Sequence, residues 1–151
     1  ILIDLSHMNE AGFRDVARLS TAPLVATHSN AHAVCPHARN LTDEQLRIIA
    51  DSDGIVGLNF ATAFLRPDGR MIPDVAFEIM LRHLDHLIGI LGETRVGLGS
   101  DYDGAVMPEA LATAASLPAL QDAMRQHGYN DALQCRLMCD NWLSALERIW
   151  H

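Results

Sequence analysis

Three features of this sequence predict an α/β fold with parallel strands alternating with helices, built as the C-terminal half of a TIM-like (β/α)8 barrel. Apolar runs of strand length recur within Ile1–His7, Leu24–Asn30, Ile55–Phe60 and Val96–Gly104, and segments of helical period separate them. Each run ends on a group able to bind a ligand or move a proton: His7, His28, the amide Asn59, and the acids Asp101 and Asp103. Parallel α/β folds, barrels above all, keep their active sites at the carboxyl ends of their strands.

The elements follow in order. After the first run, Phe13, Val16, Ala17 and Ser20 fall at the spacing of an amphipathic helix, and Pro23 ends it before the second strand. Residues 29–41 read as a polar loop. Thr42 with Gln45 three places on reads as a capping box, opening a short helix whose inner face is Leu46, Ile49 and Ala50. Gly54 leads into the third strand, and Arg66-Pro67-Asp68-Gly69 is a turn signal. Phe77, Leu81, Leu84, Ile88 and Leu91 form the clearest helical stripe in the chain, closed by Gly92. The fourth strand comes next. From Ser116 to Trp150 the pattern is helical, broken near Gly128-Tyr129-Asn130.

Residues 1–151 are thus expected to form one partial domain of four βα units plus C-terminal helices. An eight-fold barrel needs about 200 residues or more. A half barrel leaves open sheet edges, so its N-terminal half is expected to lie outside this chain. A small open α/β sheet is the competing architecture. The net charge of -8 and the scattered arginines provide no basic stripe for a nucleic-acid backbone. No stretch reaches the roughly 18 apolar residues of a membrane span. Cys35, Cys135 and Cys139 are an odd set without zinc-finger spacing, which fits reduced thiols and a cytoplasmic setting. Cys135 and Cys139 are read as buried small apolar residues.

Neighbouring parallel strands lie about 4.8 Å apart, so His7 and His28 at adjacent tips can share one metal ion, zinc suiting neutral imidazole. Alternatively, each histidine caps its strand. His32 and His37 crowd the loop after His28 and are expected to be solvated; His83 and His86 are expected to pack at the surface of the long helix. Asp101 at a strand tip can move a proton or bind a metal, or Asp101 and Asp103 simply bond their own tight turn. The planar fork of Arg39 suits a substrate carboxylate, or it is a surface arginine.

Taken together, Asp4-Leu5-Ser6-His7, Thr27-His28-Ser29-Asn30-Ala31, Arg39-Asn40-Leu41-Thr42-Asp43, Gly99-Ser100-Asp101-Tyr102-Asp103-Gly104 and Asp140-Asn141-Trp142-Leu143 resemble the membrane (renal) dipeptidase family of zinc metallopeptidases, in order and across almost the full chain. The resemblance implies a (β/α)8 barrel with two zinc ions that cleaves dipeptides. It implies that His7 and His28 bind one zinc, that Arg39 holds the free carboxylate of the dipeptide, and that Asp101 is the catalytic acid. A hydroxide shared by the zincs would be the nucleophile. Asp103 matches the motif in a turn role only. The family's His-x-Asp pair and metal-bridging glutamate are expected upstream of Ile1, and this chain alone is therefore expected to be inactive. Ala110 stands where the family usually has glycine. Possible partners are a dipeptide and further copies of the same chain. The rival functions are a non-catalytic α/β remnant or binding segment, and a related barrel amidohydrolase acting on another amide or an ester.

Overall fold

The computed structural model describes residues 1–150. Three parallel strands lie side by side in the order β1 (Val25–Ala26), β2 (Ile55–Leu58) and β3 (Val96–Leu98). Helices connect them: α1 (Glu10–Leu19), α2 (Asp43–Asp51), the single turn α3 (Thr62–Leu65) and α4 (Phe77–Leu91). After β3 come two 3₁₀ turns, then α5 (Leu117–His127), α6 (Asp131–Cys135), a π-helical turn at Arg136–Asp140 and α7 (Asn141–Trp150). The fold is α/β, as the alternation of periods implies.

The expected first strand is shorter than its apolar run. Within Ile1–His7 only Asp4 pairs, as an isolated parallel bridge to Val25, with the Leu5 amide donating to the Val25 carbonyl at 2.8 Å. The cause lies two residues on. At Thr27 the backbone amide donates to the Asp4 carboxylate instead of to a main-chain carbonyl, so the ladder stops there. Ile1 and Ile3 on this edge are exposed.

Alternation along the strands divides the interior between two faces. Ala26, Val56, Leu58 and Val96 belong to the main core, together with Leu46 and Ile49 of α2 and Leu84, Leu87 and Leu91 of α4. On the other face Val25 and Ile55 pack against Ala145 of α7, flanked by Trp142 and Ile149. With both faces covered, the strands read as continuous apolar runs, which is why they were legible. Helix α2 opens with the full capping box between Thr42 and Gln45. Helix α4 closes at Gly92 with φ 81°, and α5 closes at Gly128 in the left-handed region with φ 105°.

Close backbone approach, rather than turn geometry, explains two other glycines. A Cβ at Gly99 would lie 1.8 Å from the Thr27 carbonyl oxygen, because the end of β1 crosses over the tips of the other strands. A Cβ at Gly97 would lie 2.3 Å from the indole nitrogen of Trp142. That indole N–H donates to the Leu98 carbonyl at 3.0 Å, and Asn141 Nδ2 donates to the carbonyls of Val96 at 2.7 Å and Glu93 at 2.8 Å. The Asn-Trp pair of α7 therefore satisfies the outer carbonyls of β3.

Expectations for two helical segments are also overturned. Cys135 and Cys139 are exposed, not buried. Leu133 and Leu137 take the inward positions of this segment, and a residue two places on is turned by about 200° around a helix. His83 is buried rather than at the surface, because α4 packs against the sheet and against α2, and the loop after β1 reaches the ring through Ala31. Its Nδ1 accepts from the Ala31 amide at 3.2 Å, so its Nε2 carries the proton and donates to the Leu65 carbonyl at 3.0 Å. Burial pushes its pKa down to about 4.

Two stability predictions follow from this packing. Gly99→Ala should cost at least the roughly 1–3 kcal/mol of overpacking, whereas Gly89→Ala, on an exposed face of α4 with nothing within 4 Å, should gain about 0.5–1 kcal/mol. Equal effects in a urea titration would refute the crossing of β1 over Gly99. For His83, the unfolded chain binds a proton near pH 6.5 that the folded chain resists until about pH 4. Stability is therefore complete above pH 6.5 and falls by up to about 3 kcal/mol as the pH drops to 4. His83→Gln should flatten the urea midpoint between pH 6.5 and 5, and identical slopes in the two proteins would contradict the assignment.

Candidate functional site

His7, His28, Arg39 and Asp101 come together at the carboxyl ends of the strands, and His28 is the point on which they meet. The Nε2 atoms of His7 and His28 lie 3.0 Å apart, with ring centroids at 5.1 Å. Two nitrogens bound to one tetrahedral zinc at about 2.05 Å are separated by about 3.3 Å, so a small opening of the pair would admit the ion between them. Among the described residues no group of three or more histidine, cysteine, aspartate or glutamate side chains surrounds a common point. This pair supplies two donors where a catalytic zinc usually takes three from the protein.

The orientation of His28 is set from behind. Its Nδ1 lies 2.6 Å from the Thr27 hydroxyl, which itself makes a very short contact with the Asp4 carboxylate. A hydroxyl has one proton, and the carboxylate takes it. His28 Nδ1–H must then donate to Thr27 Oγ1, which leaves the Nε2 lone pair bare and facing His7. Asp4 also accepts from the amides of Ser6 at 2.9 Å and Thr27 at 3.0 Å. Burial pushes the Asp4 carboxyl up, but the hydrogen bonds from Thr27 and Ser6 outweigh it and hold it below its ordinary value. The His7 imidazole is held below its ordinary value too, by burial and then by the nearby Arg39 and His28, against the opposing pull of Asp101 and Asp4. A neutral ring is the form that binds metal.

Two of these residues occupy left-handed backbone without being glycine: His7 at φ 66° and Asp101 at φ 60°. Such conformations cost about 1–3 kcal/mol and cluster at functional sites. Asp103, at φ 64°, shares the geometry, and its exposed carboxylate forms part of a cleft wall. Asp101 is positioned by neighbours on both sides. Asn59 Nδ2 donates to its Oδ2 at 3.0 Å, and Gly104 leaves room for Oδ1, which a Cβ there would approach to 2.7 Å.

Arg39 is half buried. One Nη2–H donates to the His28 carbonyl at 3.3 Å, and the guanidinium lies over the Phe64 ring, 5.2 Å from its centroid. Its Nε is buried without a hydrogen-bond partner. Burial lowers its pKa against the pull of Asp101 and Asp4, but an arginine so placed stays charged. A partly desolvated cation of this kind favours an anionic ligand. His7 stands between two clefts. One, of about 500 Å³, is shared with Asp101 and walled by Phe64, Met71 and Val106; the other, of about 230 Å³, is shared with Arg39.

Among the described residues, the histidines that follow His28 take other partners. His37, expected to be solvated, is instead partly buried: its ring packs on Phe64 at 4.9 Å, and its Nδ1 accepts from the Arg39 amide at 3.1 Å. Its place is behind the arginine. His32 is also half-buried. His86 pairs with Asp43 at 2.7 Å. Sequence reasoning did not assign roles to Asp4, Thr27, Asn30 and Asn59. Their signal was present, since Asp4, Thr27 and Asn30 lie inside or beside the histidine-bearing strand ends and Asn59 ends the next apolar run.

The sequence matches the family model of the membrane dipeptidases, peptidase family M19, over residues 1–150. It is 53% identical over 148 residues to an uncharacterized protein encoded in the pqqA 5′ region of Klebsiella pneumoniae, a match covering 98% of this chain and 55% of that protein. The fold superposes with a TM-score of 0.96 on the crystal structure of a metallo peptidase from Rhodobacter sphaeroides liganded with a phosphinate mimic of the dipeptide L-Ala-D-Ala. That relative is 62% identical, and the match covers 97% of this chain and 42% of that one. A dipeptidase of family M19 gives the same TM-score of 0.96 and identity of 62%, over 97% of this chain and 44% of the other. The chain thus spans about half the length of these relatives.

Proposed function

This chain belongs to the membrane dipeptidase family, and from that premise we propose that it supplies the metal, carboxylate and proton-transfer residues of a zinc-dependent dipeptidase. The observation that carries the reading is the 3.0 Å approach of His7 and His28 through their Nε2 atoms, with His28 turned metal-ready by Thr27 and Asp4. Two imidazole nitrogens so arranged suit zinc in donor type and spacing. Bound there, zinc would polarise a carbonyl and activate water for attack on it.

The other roles belong to side chains of this chain. Arg39, with one Nη already fixed on the His28 carbonyl, offers its remaining N–H groups to the free carboxylate of a dipeptide. With that carboxylate in the smaller cleft, the peptide bond falls beside His7 and its far side enters the cleft of Asp101. Asp101 Oδ2 is held by Asn59, which leaves Oδ1 to take a proton from attacking water and to deliver it to the departing amide nitrogen. The alanines, Phe64, Met71 and Val106 of that cleft favour an apolar residue at the amino end of the substrate. The Rhodobacter sphaeroides metallo peptidase liganded with a phosphinate mimic of a dipeptide supports the assignment at the level of substrate class.

Two measurements test this reading. The complete polypeptide containing this chain, purified with its metal, should hydrolyse a panel of dipeptides and lose that activity to a chelator, with zinc restoring it. Chelator-insensitive hydrolysis, or none on any dipeptide, would count against it. Thr27→Val removes the hydroxyl behind His28 and should weaken zinc affinity by about 10- to 100-fold in competition with a fluorescent chelator. Unchanged affinity would show that the Thr27 contact plays no part in metal binding.

A further inference from the structure

We propose that Asn59 is a positioning residue that fixes the Asp101 carboxylate relative to His28, and that the proton-transfer step depends on it. This rests on the reading of Asp101 as the proton carrier. Asn59 lies at the tip of β2 with no solvent exposure, and its side-chain amide is fully used. The Nδ2 donates to Asp101 Oδ2 at 3.0 Å and to the His28 carbonyl at 3.3 Å, while Oδ1 accepts from the Ala61 amide at 2.6 Å. One planar group therefore ties the carboxylate to the main chain of the paired histidine.

The amide is itself immobilised. Its main-chain N–H donates to Asn30 Oδ1 at 2.8 Å, and its main-chain carbonyl accepts from Asn30 Nδ2 at 2.9 Å. Asn30 is equally buried and reaches on to the Phe64 carbonyl at 3.3 Å. The Asn30 side chain clamps the Asn59 main chain, and the Ala61 amide and His28 carbonyl fix the Asn59 side chain, so the donor aimed at Asp101 has one orientation. Such rigidity matters because Asp101 sits in left-handed backbone on an otherwise open turn, with only Gly104 opposite its other oxygen. Without the amide, nothing among the described residues hydrogen-bonds its side chain. An aspartate at position 59 would have the same shape but could not donate while ionised. Leucine would fit the apolar strand but orphan the Ala61 amide. Only asparagine, with a donor on one arm and an acceptor on the other, satisfies both sides in this space.

The test is a double-mutant cycle in the complete, metal-loaded enzyme. Asn59→Ala and the isosteric Asn59→Asp are each made with and without Asp101→Asn, and kcat and KM are measured on a cleaved dipeptide; the isosteric variant serves if the alanine variant does not fold. With Asp101 intact, each Asn59 change should lower kcat by about 10- to 100-fold and leave KM within about threefold, the cost of a misplaced reacting group. With Asp101→Asn already present, the same change should cost no more than about twofold further. Equal losses in both backgrounds, a loss confined to KM, or an unchanged kcat would overturn the proposal while leaving the role of Asp101 intact. Full activity of the single Asp101→Asn variant would instead remove the proton-carrier reading, and the proposal with it.

Discussion

The contact between the Asp4 carboxylate and Thr27 is the constraint on which both fold and site depend. It ends the strand ladder at Thr27, since the amide that would have continued the sheet donates to a side chain. It also directs the Thr27 hydroxyl, which fixes the tautomer of His28. A carboxylate behind a hydroxyl behind an imidazole is a way of choosing which ring nitrogen stays bare. Loss of Asp4 would therefore be felt twice, in the pairing of the first segment with β1 and in the availability of His28 Nε2.

A second constraint works from the opposite side of the sheet. The crossing of β1 over the strand tips needs a backbone without side chain at Gly99, and the seating of Trp142 needs the same at Gly97. These absences bring the Thr27 carbonyl and the following His28 inward, so that His28, Arg39, Asn59 and Asp101 share one small volume. Polar groups in it are then satisfied by one another: the His28 carbonyl accepts from both Arg39 and Asn59. The site is held together by main-chain atoms as much as by the side chains to which the chemistry is assigned in the proposal. Strain in the backbone of His7 and Asp101 is tolerated because this network over-determines them.

Much of the framework was legible in the sequence because single local rules governed it. The capping box at Thr42 and Gln45, the stripe of α4 closed by Gly92, and the helix stop at Gly128 each depend on residues a few places apart. The polar residues at the four strand ends were legible for the same reason, as groups terminating apolar runs. What escaped depended on partners far along the chain. His83 lies beside the apolar stripe of α4, and nothing local says that the Ala31 amide and the Leu65 carbonyl will reach its two nitrogens. The exposure of Cys135 and Cys139 followed from which face Leu133 and Leu137 would claim. The first strand shrank to a bridge through a side-chain contact that no period encodes. Asn59 was visible as an amide at a strand tip, but its function resides in Asn30 and Asp101, which are distant in sequence.

The central claim is that His7 and His28 are ligands of one ion. Anomalous diffraction at the zinc edge from crystals of the complete, zinc-loaded protein tests it most directly. The account predicts that one anomalous peak, of the two zinc ions expected, lies about 2.0–2.1 Å from both Nε2 atoms, with His28 Nδ1 still bonded to Thr27. A peak bonded to only one of the two rings, or zinc bound elsewhere while the rings keep each other as partners, would contradict it.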